Sequence, residues 1–296
     1  MDNVAAFLRY ITAEKNYSAH TRRAYQKDLD DFMQHCFTSY QLKDLTKVHY
    51  AMVRDYIVAL SKKGLTARSM NRKCATLNSF YAYLRTIDAI ETHPLTQHKS
   101  LKATKSFIVP FSELEVDQAL KQIDRSTFEG LRDAMVLELL YTTGMRQAEL
   151  IGLQVSDIDW SQNQLRVLGK RNKQRLVPLL PSITNALKSY CDQRNAIHKA
   201  TTHSFLLVTD KGKKIYPSFV YRLIKLYFSG VSSKIRTSPH VLRHSFATHM
   251  LDAGADINVV KEILGHESLA ATQEYTKVQL PKVQDAYCAA HPRAKK

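Results

Sequence analysis

Residues 238–249 read SPHVLRHSFATH, and this stretch predicts the start of a helix in the second half of the chain. Ser238 is a typical N-cap residue, and Pro239 suits the first helical position because an N–H group has no intrahelical partner there. His240 and Arg243 then occupy positions i and i+3, on one face of the first turn. A planar arginine fork suits two phosphate oxygens, and a nearby histidine can move a proton near neutral pH. By itself this spacing is more often a surface pair than a site, so the assignment of a phosphate site depends on the residues elsewhere in the chain.

Four further residues extend this pattern. They are Arg146 in TGMRQAEL (143–150), Lys170 in the predicted turn GKRNK (169–173), His266 in LGH (264–266), and Tyr275, nine residues after His266. A tyrosine with a pKa of about 10 becomes a nucleophile only where cations stabilise its phenolate and the reacting phosphorus. Together with His240 and Arg243, these residues can bind, protonate and attack a phosphodiester.

Two points of this pattern stay open from the residues alone. Glu149, three residues after Arg146, could orient the arginine or simply cap the backbone of the next helix. Lys173 has the same chemistry as Lys170, and either could protonate a leaving oxygen from a turn inserted beside DNA.

Residues 1–86 are predicted to form a small all-helical domain with four helices. Ser18 and Thr66 are expected to be N-caps of the second and fourth helices, while Thr46 is expected to open the third. Val4, Phe7, Leu8 and Ile11 follow helical spacing in the first helix. The start of the fourth helix carries three candidate DNA contacts, for which a solvated helix face is an equally good explanation: Arg68, Arg72 and Lys73.

Residues 87–106 lose this periodicity and are interpreted as a basic linker, and residues 107–296 as a second domain. Its start is marked by a capping-box sequence at 112–115. A long apolar helix is predicted to end at Gly144, and another to run from near Asp256 to Leu264. Residues 165–168 and 175–179 are predicted to be two strands of a hairpin. The fold class is therefore mainly α, with a small antiparallel sheet in the second domain.

The composition narrows the classes of function. The chain has 296 residues and a net charge of +16, with 17 Lys and Arg against 9 Asp and Glu before residue 107 and 26 against 18 after it. Basic charge in both halves favours a polyanionic partner held by two domains. No apolar run reaches the roughly 20 residues that span a bilayer, so no membrane insertion is expected. The start does not resemble a signal peptide, which indicates a cytoplasmic protein.

These strings and their spacing resemble the tyrosine site-specific recombinases of the phage integrase family, most closely the Xer subfamily. The resemblance includes RHSFATH (243–249), GAD (254–256), AHPRA (290–294) and TRRAY (21–25). It covers essentially the whole chain, with no departure at the six site positions. It implies an N-terminal four-helix core-binding domain of the SAM-like type and a C-terminal α+β catalytic domain.

The resemblance also implies a role for each residue. Tyr275 would be the nucleophile that forms a 3′-phosphotyrosyl link to DNA. Arg146, Arg243 and His266 would hold the non-bridging oxygens, His240 would assist proton transfer, and Lys170 would be the acid to the leaving oxygen. Arg171 and Lys173 in the same turn would contact DNA. No metal, ATP or other cofactor is required.

The implied partners are a double-stranded recombination site and three further recombinase subunits, identical or paralogous, in a tetramer. The segment 283–287, with Val283 and Ala286, is the candidate for docking on a neighbouring subunit. The Xer role would be resolution of chromosome dimers for chromosome partition at cell division, with a DNA translocase as a possible activating partner.

Four alternatives remain beside this interpretation. A phage-type or mobile-element integrase would share the chemistry, and a type IB topoisomerase would share the attack but act as a monomer. An architectural DNA-binding protein would fit the charge and helices but gives no reason for the catalytic set. A zinc site formed by His240, His244 and His249 would place Arg243 among the ligands, with no nearby carboxylate to complete it.

Overall fold

In a computed structural model the chain divides into two compact units, Met1–Ser106 and Phe107–Lys296. The structure describes residues 3–103, 108–169, 173–197, 203–232, 234, 237–265 and 279–295, with the side chains of the last range described from 283 to 294. Each unit has its own hydrophobic core. In the described ranges, no helix is long and apolar enough to cross a membrane.

The first unit contains four helices, as predicted: α1 (Asn3–Ala13), α2 (Ala19–Tyr40), α3 (Tyr50–Lys62) and α4 (Ala67–Thr86). All four apolar residues predicted on α1 are buried. Ser18 caps α2 by accepting a hydrogen bond from Thr21 N, and Thr66 caps α4 by accepting from Ser69 N. These local signals therefore set two of the helix starts.

The prediction that Thr46 opens the third helix is wrong. Leu45–Lys47 form a separate 3₁₀ turn, and α3 begins only at Tyr50. The Asp44 carboxylate accepts hydrogen bonds from the backbone N–H of Thr46, at 3.0 Å, and from its hydroxyl, at 2.7 Å. Asp44 is therefore the N-cap of the 3₁₀ turn, and Thr46 is a residue within that turn.

The segment after α4 follows the first unit as far as residue 101. Leu95 is buried in the core of this unit. The Asn71 side chain forms hydrogen bonds with both backbone groups of Leu101. It donates to the carbonyl at 2.8 Å and accepts from the N–H at 2.9 Å. Most of the stretch that the sequence indicates as a linker is therefore packed.

In its described ranges, the second unit consists of eight helices and a small sheet, and the other elements surround one buried helix. They are α5 (Glu113–Lys121), α6 (Phe128–Thr143), α7 (Gln147–Gly152), β1 (Ile158–Asp159), β2 (Gln164–Leu168), β3 (Gln174–Pro178), α8 (Pro181–Ala196), α9 (Pro217–Phe228), α10 (Pro239–Asp252), α11 (Ile257–Leu264) and α12 (Gln279–Ala290). Almost every residue of α6 is buried, and α6 packs against α8 and α10. The strands are antiparallel in the order β1-β2-β3, with Leu165 opposite Val177. The predicted fold class is confirmed.

The sequence signals of this unit are also largely confirmed. Ser112 and Glu115 form both bonds of the capping box at α5. Gly144 ends α6 in the left-handed conformation, with φ of 58°. Helix α10 begins at Pro239, but Ser238 makes no side-chain cap bond. Proline at the first position is therefore the signal that holds.

Helix α12 packs against its own unit. Val283 and Tyr287 are buried in the core of the second unit. The Tyr287 hydroxyl donates to the Thr142 carbonyl at 3.0 Å, near the end of α6. The segment predicted to dock on a neighbouring subunit therefore lies on its own unit in the monomer.

Candidate active site and DNA contacts

Two helix ends meet at Arg243. Helices α6 and α11 end in left-handed glycines, Gly144 and Gly265, with φ of 58° and 62°. From the first turn of α10, Arg243 donates through Nη1 to the Gly144 carbonyl at 2.6 Å and through Nη2 to the Leu264 carbonyl at 2.8 Å. Carbonyls at helix C-termini lack intrahelical partners and carry partial negative charge. One guanidinium therefore binds the ends of two helices.

Arg146 is held by the carboxylate of Glu149. Arg146 is the N-cap of α7, and its backbone N–H donates to Glu149 Oε2 at 2.8 Å, while its Nη1 donates to Oε1 at 2.8 Å. Glu149 therefore both caps the helix and orients the arginine. Because 31% of the Arg146 side chain remains exposed, it can still reach a ligand.

A third arginine, Arg175, completes the set of hydrogen bonds to Glu149. Arg175 donates through Nη1 to Oε1 at 3.1 Å and through Nη2 to Oε2 at 2.7 Å. Burial alone would raise the pKa of Glu149, but hydrogen bonds from Arg175 and Arg146 outweigh it and hold this pKa below its ordinary value. The carboxylate is therefore ionised at neutral pH.

Arg175 was not among the predicted site residues, although the strand pattern contains a signal. Side chains alternate in β3, so that Arg175 shares a face with the buried Val177 while Gln174 and Leu176 are exposed. An arginine on the core face of a strand requires a buried partner. That partner, Glu149, is 26 residues away in sequence and could not be identified from the pattern.

The electrostatic balance of the cluster favours an anion. Burial, together with the positive charges of Arg146 and Arg175, lowers the pKa of Arg243 to about 10, which still leaves it charged at neutral pH. Two guanidinium groups thus bind the carboxylate of Glu149, and a third, Arg243, is close enough to feel the charges of all three groups. A phosphate placed against Arg146 and Arg243 would relieve their mutual repulsion.

The structure brings together some of the predicted catalytic residues. Arg146 and Arg243 lie in one cluster, and His240 is exposed on the first turn of α10. Lys170, Arg171, His266 and Tyr275 lie outside the described residues. Some described residues next to them have known contacts. Gly169 N donates to Lys173 O at 2.7 Å across the base of the hairpin turn. Gly265 directly follows Leu264, whose carbonyl accepts a hydrogen bond from Arg243.

The histidines of the zinc alternative have different environments. His240 and His244 are exposed, whereas His249 is buried, with its Nδ1 2.9 Å from the Tyr141 hydroxyl. Burial lowers the pKa of His249. Within the described ranges, no group of three or more His, Cys, Asp or Glu residues could hold a metal ion.

The three candidate DNA contacts of α4 have different surroundings. Arg68 is exposed. Lys73 is 7% exposed, and its ammonium binds Asp28 at 3.0 Å and Asp31 at 2.7 Å. Arg72 is half exposed and forms a bidentate pair with the buried Asp28. Lys73 is therefore engaged in the core, whereas Arg68 remains available to a phosphate.

Comparisons with known proteins agree with this architecture. Residues 111–280 match the phage integrase family, and residues 4–86 match the phage integrase N-terminal SAM-like domain. A tyrosine recombinase XerC from Staphylococcus aureus (strain USA300 / TCH1516) is 36% identical over 291 residues, covering 98% of this chain and 97% of that protein.

Two solved structures share the fold. XerH site-specific recombinase bound to palindromic difH substrate, in a post-cleavage complex, has a TM-score of 0.72 and 17% identity, covering 98% of this chain and 82% of that chain. The Tn1549 transposon integrase in complex with transposon right end DNA has a TM-score of 0.71 and 18% identity, covering 97% of this chain and all of that chain.

Proposed function

Because this chain belongs to the phage integrase family, we propose that it is a Xer-type tyrosine recombinase. It cuts and rejoins double-stranded DNA at a specific site through a 3′-phosphotyrosyl intermediate. The similarity to XerC proteins over 98% of the chain favours the Xer type over a mobile-element integrase.

The observation that carries this proposal is the arginine pair Arg146 and Arg243, the first held by Glu149 and the second by two helix ends. Arg146 and Arg243 are positioned by protein contacts before any ligand arrives. Charge stabilisation that is already in place needs no reorganisation when the transition state forms. The pair is therefore suited to the two non-bridging oxygens of a scissile phosphate.

In this mechanism the Tyr275 oxygen attacks the phosphorus and forms the P–O bond of the phosphotyrosyl ester. The phenolic proton passes to His240 or to water, and the bond from phosphorus to the 5′ oxygen breaks. Lys170 donates a proton to that leaving oxygen, which departs as a 5′-hydroxyl. His266 supports Arg146 and Arg243 at the non-bridging oxygens.

Rejoining is the reverse of this step. The 5′-hydroxyl of a partner strand attacks the phosphotyrosyl phosphorus, and Tyr275 leaves as the phenol. The ester between protein and DNA conserves the phosphoryl bond, so neither ATP nor a metal ion is needed. Four subunits exchange the strands of two sites, and the segment 283–287 transfers to a neighbouring subunit in that assembly.

The proposed contacts to the rest of the site are Arg68 on α4 and Arg171 and Lys173 in the hairpin. We assign Lys73 to the ion-pair cluster beneath α4 because its ammonium already binds two carboxylates. In the cell, this protein would act in the cytoplasm, resolving chromosome dimers at cell division in response to a DNA translocase.

A covalent-trapping assay tests the proposal. The purified protein is mixed with nicked duplexes that carry candidate palindromic sites, in the presence of EDTA, and separated on a denaturing gel. We expect a DNA-shifted band for the wild type and for Tyr221→Phe, which changes an exposed tyrosine of α9. Tyr275→Phe should lose this band while its DNA affinity stays within about three-fold, since it removes only the nucleophilic oxygen.

Two outcomes would contradict this assignment. A band that persists in Tyr275→Phe would place the nucleophile elsewhere. Tight, sequence-specific binding with no band on any nicked site would favour the architectural DNA-binding alternative.

A further inference from the structure

Arg175 is a buried cation to which the mechanism above gives no part. Only 6% of its side chain is exposed. Besides the bidentate pair with Glu149, its Nε donates to the Ile263 carbonyl at 2.8 Å. One guanidinium therefore joins β3 to the carboxylate of α7 and to the last turn of α11.

The same side chain lies beside two glycines. A methyl group built on Gly265 would lie 3.1 Å from Cδ of Arg175, and one built on Gly169 would lie 3.7 Å from its Nη1. Gly169 directly precedes Lys170, and Gly265 directly precedes His266. The guanidinium thus packs against the chain at both points where it leads into a proposed catalytic residue.

We propose that Arg175 is the positioning residue of this active site. It fixes Glu149, which orients Arg146, together with the two backbone segments that lead into Lys170 and His266. This inference rests on the proposed function, because it assigns those residues to one reaction. Arg175 acts through its neighbours and does not touch the phosphate.

The shape of the guanidinium explains why this position needs an arginine. Its three nitrogens point in fixed directions in one plane, and here two of them face the carboxylate while the third faces a carbonyl. A lysine ammonium could pair with Glu149, but it lacks the planar fork that serves the carboxylate and the Ile263 carbonyl together. Arg175→Lys therefore preserves the charge while it removes the link between α7 and α11.

The test compares single-turnover cleavage at saturating DNA by the full-length protein. We expect Arg175→Lys to slow formation of the covalent adduct by about ten- to hundred-fold, since a displacement of about 1 Å can cost a hundred-fold in rate. The dissociation constant for DNA should stay within about two-fold of the wild type. This split separates positioning from a loss of binding.

A matched control lies on the same hairpin. Arg166 on β2 pairs with Asp157, and 46% of its side chain is exposed. Arg166→Gln removes one arginine and one ion pair from the hairpin without touching Glu149 or α11. We expect it to cleave within about two-fold of the wild type.

A modified substrate reports on the Lys170 segment separately. A 5′-bridging phosphorothiolate has a sulfur leaving group, which departs without a proton from an acid. If Arg175 positions the segment that carries Lys170, the rate deficit of Arg175→Lys relative to the wild type should be smaller on this substrate than on normal DNA, while Arg166→Gln should stay within about two-fold of the wild type on both substrates. A loss of folded protein would produce no such selective recovery.

A second variant keeps the test decisive if Arg175→Lys does not fold. The double change Arg175→Gln with Glu149→Gln removes both charges of the buried pair together, and the Arg146 guanidinium that loses Glu149 is partly exposed to water. We expect this double variant to fold, to bind DNA and to cleave at least ten-fold more slowly than the wild type.

Three results would overturn the inference. The first is cleavage by Arg175→Lys or by the double variant at a rate within two-fold of the wild type. The second is a rate loss that matches an equal loss of DNA affinity or of folded protein. The third is the absence of selective recovery with the sulfur substrate. If the wild type and Arg166→Gln form the adduct in these experiments, the proposed function stands although the role of Arg175 fails. If the wild type forms none, the proposed function fails and this inference fails with it.

Discussion

Replacing Gly144 by alanine should destabilise the catalytic unit and disturb its arginine pair. Gly144 ends α6 with φ of 58°, and its carbonyl accepts a hydrogen bond from Arg243. A Cβ atom at this position would lie 2.4 Å from the Phe246 ring and 2.7 Å from the Leu264 side chain. Both neighbours are buried in the core and leave little room to move.

Two terms set the expected magnitude. A non-glycine residue in the left-handed conformation costs about 1–2 kcal/mol, and forcing a methyl group into a packed core costs about 1–3 kcal/mol. Gly144→Ala should therefore lower the free energy of unfolding of the second unit by about 2–5 kcal/mol. The shift of the Gly144 carbonyl should also slow cleavage, because Arg243 loses one of its two anchors.

Gly254 provides the matched control for this experiment. It follows α10 with φ of 88°, and a Cβ atom built there meets nothing within 4 Å. Gly254→Ala should therefore cost only the conformational term, about 1–2 kcal/mol, with little change in cleavage. The difference between the two variants isolates the clash at Gly144.

The chain contains one tryptophan, Trp160, which packs against the core of the second unit. Its fluorescence during urea unfolding therefore reports on the unit that contains both glycines. The midpoint should fall further for Gly144→Ala than for Gly254→Ala, with similar slopes. Equal shifts for the two variants, or normal cleavage by Gly144→Ala, would refute this account of the helix end.

Three further predictions concern other parts of the structure. Arg243→Ala should cut cleavage at saturating DNA by at least a hundred-fold, since preorganised charge at the transition state is lost; near-normal cleavage would remove Arg243 from the site. Tyr287→Phe should cost about 1 kcal/mol in urea unfolding by removing the buried bond to Thr142, and an unchanged midpoint would contradict this bond. Burial alone would raise the pKa of Asp28, but hydrogen bonds from Arg72, Lys73 and Thr76 lower it overall. Its stabilisation is therefore present at neutral pH and lost as pH falls below about 4, so Asp28→Asn should unfold more easily at pH 7 and lose less stability on acidification in a circular-dichroism titration.

Much of the fold could be predicted because its signals are local. The caps at Ser18 and Thr66, the capping box at Ser112 and the helix end at Gly144 each depend on bonds within a few residues. Thr46 does not open α3 because Asp44 caps a separate 3₁₀ turn at Leu45–Lys47, and α3 begins only after His49. Sequence spacing alone could not distinguish the residue that caps from the residue that is capped.

The site could be predicted only in part, since its contacts join distant segments. Arg146 and Arg243 stand in distinctive strings, but their anchors lie on α7 and at the ends of α6 and α11. Arg175 binds Ile263 across 88 residues of sequence. Lys73 directly follows the exposed Arg72 on α4, and only the packing of α2 against α4 shows that Lys73 faces two carboxylates.

The buried position of Lys73 has a consequence for how DNA affinity should change with ionic strength. Each phosphate that a protein cation neutralises releases condensed counterions, and the logarithm of affinity falls by about 0.9 per such contact for each unit of log salt. Lys73 cannot contribute to this slope while its ammonium binds Asp28 and Asp31. The exposed Arg68 can, so Arg68→Ala should flatten the slope by about 0.9. The salt dependence of binding will therefore be shallower than a count of the basic residues on α4 suggests.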